Sequence, residues 1–325
     1  MSAAAGLGRI ATTDTADAAA PGRSAARRGS YLPGVPPLWA RVGRLVVIAL
    51  LLAWSLGPVV VGVLTSLSTQ AEVSAVPAQL VPHSPSLDSY RSLLGHPAAS
   101  TGPVAAGTVG ADEHQAFTRA LLNGAVSTFV AVLVILLVSI TAGYAFSRLR
   151  FRGRVTTLVV IIVTLAIPAV ALVVPLFQLL AAVRLIDTQM GLVLIYTSAT
   201  APLGVWLFYN YCEDVATDPE DAALMDGCDR LQALRHVVIP QLIPGIAALT
   251  AILMLALWGQ FFIPLLFAPT LHTKPVPVLI TEYSGKYRTD YPLVAAAGVL
   301  ALLPPAVVAT VLNRHIRSML SGLSV

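Results

Sequence analysis

Charged residues are scarce in this chain of 325 residues: they make up 11% of it, whereas 56% is hydrophobic. Soluble globular domains carry roughly 25% charged residues, so this composition excludes an ordinary soluble domain and favours a chain that lies in lipid. Cysteine is almost absent as well. The two cysteines, Cys212 and Cys228, suit neither a disulfide nor a metal site, and we interpret both as incidental.

Lysine is equally rare, and its scarcity bears on ATP hydrolysis. The only lysines are Lys274 and Lys286. A phosphate-binding P-loop needs Gly-x4-Gly-Lys-Ser/Thr, but Pro275 follows the first lysine and Tyr287 follows the second. We therefore predict that the chain is not an enzyme that hydrolyses ATP, and that any energy from ATP comes from another subunit.

Carboxylates are missing from the interiors of the long apolar stretches. A proton-coupled transporter usually carries ionisable residues inside its spans, so their absence argues against proton coupling. An intramembrane enzyme needs a nucleophile or a metal cluster, but His83, His96 and His114 lack paired ligand spacing. We expect no metal site. A nucleic-acid partner is not expected either, because no basic stripe with interleaved aromatics is present.

What the sequence has instead is six long apolar stretches. A membrane crossing needs about 20 mainly apolar residues, and the stretches cover residues 45–67, 120–147, 155–182, 190–211, 241–267 and 292–313. Several contain proline, as Pro168 and Pro175 in the third, but neighbouring helices satisfy the freed carbonyls. The sequence therefore predicts an all-α membrane protein with six transmembrane helices.

The remaining segments set the domain organisation. Residues 1–43 are aperiodic and rich in Ala, Gly, Ser and Arg, which predicts a disordered tail. Residues 44–316 form the membrane domain, with an outer loop at 68–118, and residues 317–325 form a C-terminal tail. If both termini are cytoplasmic, that side holds fourteen of the twenty basic residues. The positive-inside rule therefore predicts cytoplasmic termini.

Negative charge is concentrated in one polar segment after the fourth stretch. Residues 219–240 read PEDAALMDGCDRLQALRHVVIP, and seven of the sixteen carboxylates lie within residues 213–229. The predicted topology places this segment in the cytoplasm. The charge by itself favours a loop that is merely solvated. Whether the segment has a more specific role depends on the pattern of its residues.

The pattern is that of a short helix, a glycine turn and a second helix. Asp218 is predicted to cap the first helix, with Pro219 at its first position and Asp221 completing a capping box. The clustered carboxylates favour the positive end of the helix dipole. Gly227 is predicted to end this helix, and Asp229 is predicted to cap the next one.

The same segment resembles the EAA motif of bacterial ABC importer permeases. That motif runs Glu-Ala-Ala, three residues, Gly, nine residues, Ile-x-Leu-Pro; here Asp221 replaces a Glu or Ala, and Cys228 replaces a usual Ala. The stretches AGYAFSRLRFRGR (142–154) and LIDTQMGLVLIY (185–196) are also similar to segments of these permeases. The chain thus resembles the maltose-G-like subfamily of binding-protein-dependent carbohydrate permeases over most of residues 44–323.

The resemblance implies an ABC importer permease fold in which the acidic helix is a coupling helix that docks in a cleft of the ATPase subunit. It also implies a second related permease, two ATPase subunits that bind ATP and Mg, and an extracytoplasmic binding protein, all at a bacterial plasma membrane. The small residues of this helix allow the partner's surface to approach closely, and its carboxylates offer hydrogen-bond acceptors to that surface. The implied coupling residues are Glu220, Asp221, Ala222, Ala223, Asp226, Gly227 and Pro240.

A substrate pathway is expected along the fifth stretch. LWGQFFIPL (257–265) is similar to the WNxF and Pro-Leu pattern of the resembled family, with Gly259 in place of the usual Asn. Sugars are held by aromatic stacking and by neutral polar groups, so the aromatics and amides here are candidates. Ordinary helix packing by the same aromatics stays open. The pathway candidates are Trp258, Gln260, Phe261, Gln178 and Asn123.

Together these features predict the permease subunit of an ATP-driven importer that forms half of the pathway for a di- or oligosaccharide. Two alternatives stay open. The first is an ABC permease for another cargo, such as a polyol, glycerol-phosphate or peptide. The second is an autonomous secondary transporter, against which the acidic segment argues.

Overall fold

The computed structural model describes residues 38–76, 81–95, 113–284 and 289–322. The chain divides at Trp54 into two units, Met1–Trp54 and Ser55–Val325. The described part of the first unit is the beginning of a helix, and the second unit contains the remaining elements. Within the described residues the regular secondary structure is helical apart from one isolated bridge between Ser284 and Thr289, and turns and irregular connections join the helices.

The helices are numbered here in chain order. Their bounds are α1 Leu38–Ser66, α2 Gln70–Val73, α3 Asp88–Leu93, α4 Glu113–Arg148, α5 Arg154–Thr164, α6 Ala169–Ala182, α7 Gln189–Glu213, α8 Asp218–Met225, α9 Arg230–Ala233, α10 Ile239–Trp258, α11 Phe262–Phe267, α12 Val276–Glu282 and α13 Tyr291–Gly322. A π-helical turn, Leu234–Val238, connects α9 to α10.

Five helical segments in the described part of the chain are long and apolar enough to cross a membrane. They are Arg41–Ser66, Glu113–Arg148, Gln189–Glu213, Arg230–Trp258 and Tyr291–Leu312. Each overlaps one of the predicted stretches. The segments that begin at Glu113 and Arg230 start well before the apolar residues do, because polar residues extend the same helix at its N-terminal end.

The third predicted stretch, 155–182, is not one continuous helix. It consists of α5 and α6, which meet at an angle of 96°, so it is a sixth span only if the bent pair counts as one. Pro168 lies at the break with an extended backbone, φ −60° and ψ 126°. Proline lacks an N–H and disfavours helical geometry in the residue before it, so a helix cannot run unbroken through this position; α5 ends at Thr164 and α6 begins at Ala169. Pro175, within α6, does not interrupt that helix.

The fifth stretch, predicted to reach residue 267, ends at Trp258. Gly259 caps α10, and α11 begins separately at Phe262. Glycine is a weak helix former because it loses the most backbone entropy on folding, which favours a break at this position. The segment that carries the pathway candidates is therefore a helix end and a short connection.

The packing of α4 against α7 forms the centre of the second unit. Gly143 and Gly204 allow the two helices to approach closely: a Cβ at Gly143 would lie 2.9 Å from Phe208 Cδ1, and one at Gly204 would lie 2.3 Å from Ser139 Oγ. The adjoining core is apolar and includes buried side chains of α10. Its largest buried members include Tyr196, Phe208, Ile135, Leu249, Leu253, Met254 and Leu257.

Helices run past the predicted domain boundaries at both ends of the described chain. Residues 38–43 belong to helix α1, so they are not part of a tail, while residues 1–37 lie outside the described residues. Helix α13 continues to Gly322, so residues 317–322 are helical, and residues 323–325 lie outside the described part. The outer loop at 68–118 contains α2, α3 and the start of α4, and its residues 77–80 and 96–112 are not described.

Candidate functional site

The acidic segment forms the predicted short helix, α8, but its start differs from the prediction. Asp218 is the first helical residue and not the cap. Thr217 takes the cap position with helical dihedrals and no side-chain cap bond, so the predicted capping box with Asp221 is wrong. The Thr217 carbonyl instead accepts from the Asp221 N–H at 2.9 Å. The carboxylates of Asp218, Glu220 and Asp221 do lie in the first turn, where the helix dipole favours them.

Gly227 ends α8, as predicted. Its φ is +93°, in the left-handed region that favours glycine. Its N–H donates to the Leu224 carbonyl at 3.2 Å, and the Cys228 N–H donates to the Ala223 carbonyl at 3.0 Å. These two bonds make the Schellman motif, which satisfies carbonyls at the helix end. No atom lies within 4 Å of a Cβ built on Gly227, so the turn is open on that side.

Asp229 begins the next helix, also as predicted. Its side chain accepts from the Gln232 N–H at 2.7 Å, and its own N–H donates to the Gln232 side chain at 2.9 Å. The π-helical turn then continues this helix into α10 without a break. The exposed Pro240 lies in the first turn of α10. The segment after Gly227 is thus firmly joined to a membrane-spanning helix.

Glu220 does not face outward, which corrects the prediction that it offers an acceptor to a partner. Its side chain is only 3% exposed. Its carboxylate accepts from the Tyr144 hydroxyl at 2.6 Å and from Arg148 Nε at 3.0 Å. Arg230 donates to it at 3.2 Å from the next helix. Arg148 also donates to the Val215 carbonyl at 2.9 Å. Glu220 therefore anchors α8 to the end of α4.

Sequence reasoning missed Tyr144 and Arg148 as members of this site. Both lie on α4, four residues apart, so they share one face of that helix. Glu220 is 76 and 72 residues away from them along the chain. The available signal was the stretch AGYAFSRLRFRGR (142–154), which contains a tyrosine and an arginine at helical spacing.

The other carboxylates of α8 face away from the protein. Asp218, Asp221 and Asp226 are exposed, and so is the small Ala222, whereas Ala223 is half-buried. Met225, at the end of the helix, is 88% exposed. The outward face of α8, defined here as Asp218, Asp221, Ala222, Met225 and Asp226, is thus acidic with one large apolar side chain.

Two of the pathway candidates are engaged inside the protein. Trp258 is 8% exposed, and its Nε1 donates to the Ala301 carbonyl of α13 at 2.9 Å. Asn123 donates to the carbonyls of Leu271 and Lys274 at 3.1 and 3.3 Å, and its Oδ1 accepts from Gln189 at 2.9 Å. Their polar groups are satisfied by the chain itself. Trp258 is therefore a buried packing residue in this structure, whereas Asn123 is half-buried, and the assignment of both to the pathway stays a prediction.

The remaining candidates are more accessible. Gln260 is half-buried in the connection between α10 and α11, and the adjacent Phe261 is 39% exposed. Gln178 is exposed on α6. These three side chains retain surface that a cargo molecule can contact.

An additional polar cluster, which sequence reasoning did not single out, closes the ends of α6 and α11. Asp187 has φ of 56°, a left-handed value that is uncommon for a residue other than glycine. Its carboxylate accepts from the Thr270 hydroxyl at 2.6 Å and from the Thr273 hydroxyl. Partial burial raises the pKa of this carboxyl, but the bonds from Thr270 and Thr273 outweigh it, so the pKa lies below its usual range.

Five described helical segments are thus long and apolar enough to cross a membrane, and a short acidic helix is bonded to the end of one of them. The chain belongs to the family of binding-protein-dependent transport system inner membrane components, whose model matches residues 135–321. It is accordingly a permease of the ABC importer class and an inner membrane component. Permeases of this class work with an ATPase and a substrate-binding protein.

Individual relatives match nearly the whole chain. The sulfoquinovosyl glycerol transport system permease protein of Agrobacterium fabrum is 28% identical over 279 residues, which cover 86% of this chain and 92% of that protein. The trehalose transport system permease protein of Mycobacterium tuberculosis is 26% identical over 293 residues, which cover 90% of this chain and 95% of that protein.

A solved structure shares the fold. One chain of a bacterial ABC transporter involved in the import of the acidic polysaccharide alginate superimposes with a TM-score of 0.69 at 22% identity. The match covers 86% of this chain and 98% of that chain. The predicted class of fold, an all-α ABC importer permease, is therefore confirmed.

Proposed function

We propose that this permease forms half of the pathway of an ATP-driven carbohydrate importer and couples to its ATPase through the outward face of α8. The observation that carries the proposal is the division of the carboxylates on this helix. Glu220 is held inside by Tyr144 and Arg148, whereas Asp221 and Asp226 are exposed. One side of α8 is thus fixed to a membrane helix, and the other is free to contact a partner.

This arrangement suits the transmission of force. A rigid-body movement of α8 moves the end of α4 through Glu220, and it moves α10 through the continuous helix from Arg230 to Trp258. Hydrolysis of ATP, with its bound Mg, takes place on the partner ATPase, since neither lysine of this chain lies in a P-loop. A second, related permease supplies the other half of the pathway.

Carbohydrate is the proposed cargo. The relatives are named for sulfoquinovosyl glycerol and trehalose transport, and the solved structure is of an alginate importer. Gln260, Phe261 and Gln178 supply two amides and one aromatic ring, groups that hydrogen-bond and stack with sugars.

The direct test is reconstitution of the complex with its ATPase and a panel of binding proteins loaded with different compounds. We expect the ATPase to co-purify with the chain, and a sugar-loaded binding protein to stimulate hydrolysis. Stimulation only by binding proteins loaded with a polyol, glycerol-phosphate or peptide would change the cargo and leave the coupling intact. Uptake without any ATPase would overturn the proposal and favour a secondary transporter.

Cytoplasmic termini are part of the proposal and give a labelling prediction. Positions near Gly102 are expected outside, and positions near Gly153 inside. We expect Val76→Cys, at a site 98% exposed, to react with a membrane-impermeant maleimide in intact cells. Arg152→Cys should react only after permeabilisation. Both variants are made in a Cys228→Ser background, because the native Cys228 is only half-buried and its thiol would react with the maleimide as well. The opposite labelling pattern would invert the topology.

The burial of Trp258 gives a second prediction. Trp258→Ala removes a buried ring and its bond to Ala301, so we expect it to lower the free energy of unfolding by about 3–5 kcal/mol. Gln260→Ala should leave thermal stability near the wild-type value and lower sugar-stimulated ATPase activity. Thermal unfolding and stimulated hydrolysis are measured on the same preparations. If Trp258→Ala is stable but inactive, this residue lines the pathway and its role is not packing alone.

A further inference from the structure

The turn between α4 and α5, residues 149–153, carries basic side chains that the coupling does not use. Helix α4 ends at Arg148 and α5 begins at Arg154, so only a short turn joins two membrane-inserted segments. Apolar side chains reach Phe146 on one side of this turn and begin again at Val155 on the other. This pattern favours a position at the membrane surface, near the lipid head groups.

The arginines in and beside this turn divide into two kinds. Arg148 donates to Glu220 and to the Val215 carbonyl, and Arg154 lies 3.5 Å from the Glu213 carboxylate. Arg150 and Arg152 are exposed, and neither takes part in the ion pairs found among the described residues. Two guanidinium groups are thus available to an anion from outside the chain.

The shape of the turn suits a lipid head group. Residues 150–156 line an open recess of about 540 Å³. Phe151, between the two arginines, is 44% exposed and lies with its ring 5.7 Å from the ring of Phe146. An aromatic side chain at the membrane interface contacts the boundary between acyl chains and head groups, and a guanidinium binds phosphate oxygens in pairs.

We propose that Arg150 and Arg152, with Phe151 beside them, form a binding site for the phosphate group of an anionic phospholipid. Charge decides between a lipid and the ATPase as the occupant. The outward face of α8 carries the exposed carboxylates of Asp218, Asp221 and Asp226, so a protein surface that complements it is basic. Such a surface would be repelled by the basic turn, whereas an anionic lipid surface attracts it.

The test uses the full-length chain, purified in neutral detergent and titrated with phosphatidylglycerol or phosphatidylcholine. Bound lipid is counted by native mass spectrometry. We expect tighter binding of phosphatidylglycerol, and a loss of about fivefold for each arginine replaced, hence roughly 25-fold for the double variant Arg150→Gln/Arg152→Gln. The double variant Arg150→Lys/Arg152→Lys keeps both charges and should keep most of the binding.

A matched control loses the same charge elsewhere. Arg119 and Arg235 are also exposed, so Arg119→Gln/Arg235→Gln should bind phosphatidylglycerol as the wild type does.

Equal binding of the two lipids by the wild type, or equal loss in both glutamine double variants, would overturn the proposal. So would displacement of the lipid by inorganic phosphate at equal concentration, which would indicate a free-phosphate site. Loss of ATPase co-purification with lipid binding unchanged would assign the turn to the ATPase instead. Lipid binding is read without the ATPase, so its failure leaves the coupling proposal standing.

Discussion

Replacing Glu220 with alanine is expected to disable the permease by releasing α8 from α4. The Arg148 side chain is 9% exposed and pairs with a carboxylate that is 3% exposed. Removing one partner of a buried ion pair leaves the other charge uncompensated, at a cost of about 3–5 kcal/mol. The Tyr144 hydroxyl loses its acceptor as well. Arg230, with its side chain 53% exposed, contributes little because water replaces its contact.

This expectation reverses the one that the sequence supports. Read from the sequence, Glu220 is one acceptor among several on a solvated helix, and its loss is mild. We now expect lower amounts of folded protein, a lower thermal unfolding temperature and little coupled uptake.

Two control variants test whether the loss of the anchoring carboxylate causes this instability. Asp221→Ala removes an exposed neighbouring carboxylate and should leave stability near the wild-type value. Glu220→Gln keeps the shape and one acceptor, so its loss of stability should be smaller than that of alanine. Equal stability of Glu220→Ala and Asp221→Ala would contradict the anchoring role.

Replacing Gly227 with aspartate is expected to uncouple transport while the protein stays in the membrane. The left-handed backbone at φ +93° costs a residue other than glycine roughly 1–2 kcal/mol. The new carboxylate would also lie at the negative end of the dipole of α8, where it is unfavourable. Because a Cβ at Gly227 meets no atom within 4 Å, the side chain causes no clash inside the chain. Its main effect therefore falls on a partner that docks there.

Asparagine provides the matched control for Gly227. Asparagine has nearly the shape of aspartate, tolerates the left-handed conformation and carries no charge. A buried, unpaired charge in an interface costs about 2 kcal/mol or more, so Gly227→Asp should weaken ATPase binding roughly 30-fold or more. Gly227→Asn should retain most of it. Uptake and ATPase co-purification are compared at matched membrane amounts. Full uptake by Gly227→Asp would remove α8 from the coupling interface.

Local sequence signals were sufficient for the features that depend on neighbouring residues. The long apolar stretches gave the membrane helices because each helix satisfies its own backbone bonds. Gly227 and Asp229 were placed correctly because a left-handed turn and a capping box depend on residues within one helical turn. The start of α8 was misplaced by one residue, since Thr217 and Asp218 are both acceptable at a helix start.

The direction of a side chain could not be predicted in the same way. Glu220 and Asp221 are adjacent and chemically similar, yet Glu220 is buried and Asp221 is exposed. What separates them is the position of Arg148, 72 residues earlier, which only the packing of α8 against α4 determines. Trp258 is a similar case, because its partner carbonyl at Ala301 lies 43 residues later. The break at Pro168 was also missed, although a proline within a long apolar stretch was the visible signal.

The most direct test of the central claim, that the outward face of α8 contacts the ATPase, is site-specific photo-crosslinking. Met225 is the large side chain at the end of this face and is 88% exposed. A benzoylphenylalanine incorporated at position 225 should crosslink the chain to its ATPase subunit upon irradiation of the assembled complex. The same photoreactive residue at position 76, where Val76 is 98% exposed in the segment proposed to lie outside, should not. A crosslink from position 225 to the ATPase is the result that we predict. Its absence in a complex that still hydrolyses ATP and transports, or an equal crosslink from position 76, would contradict the account.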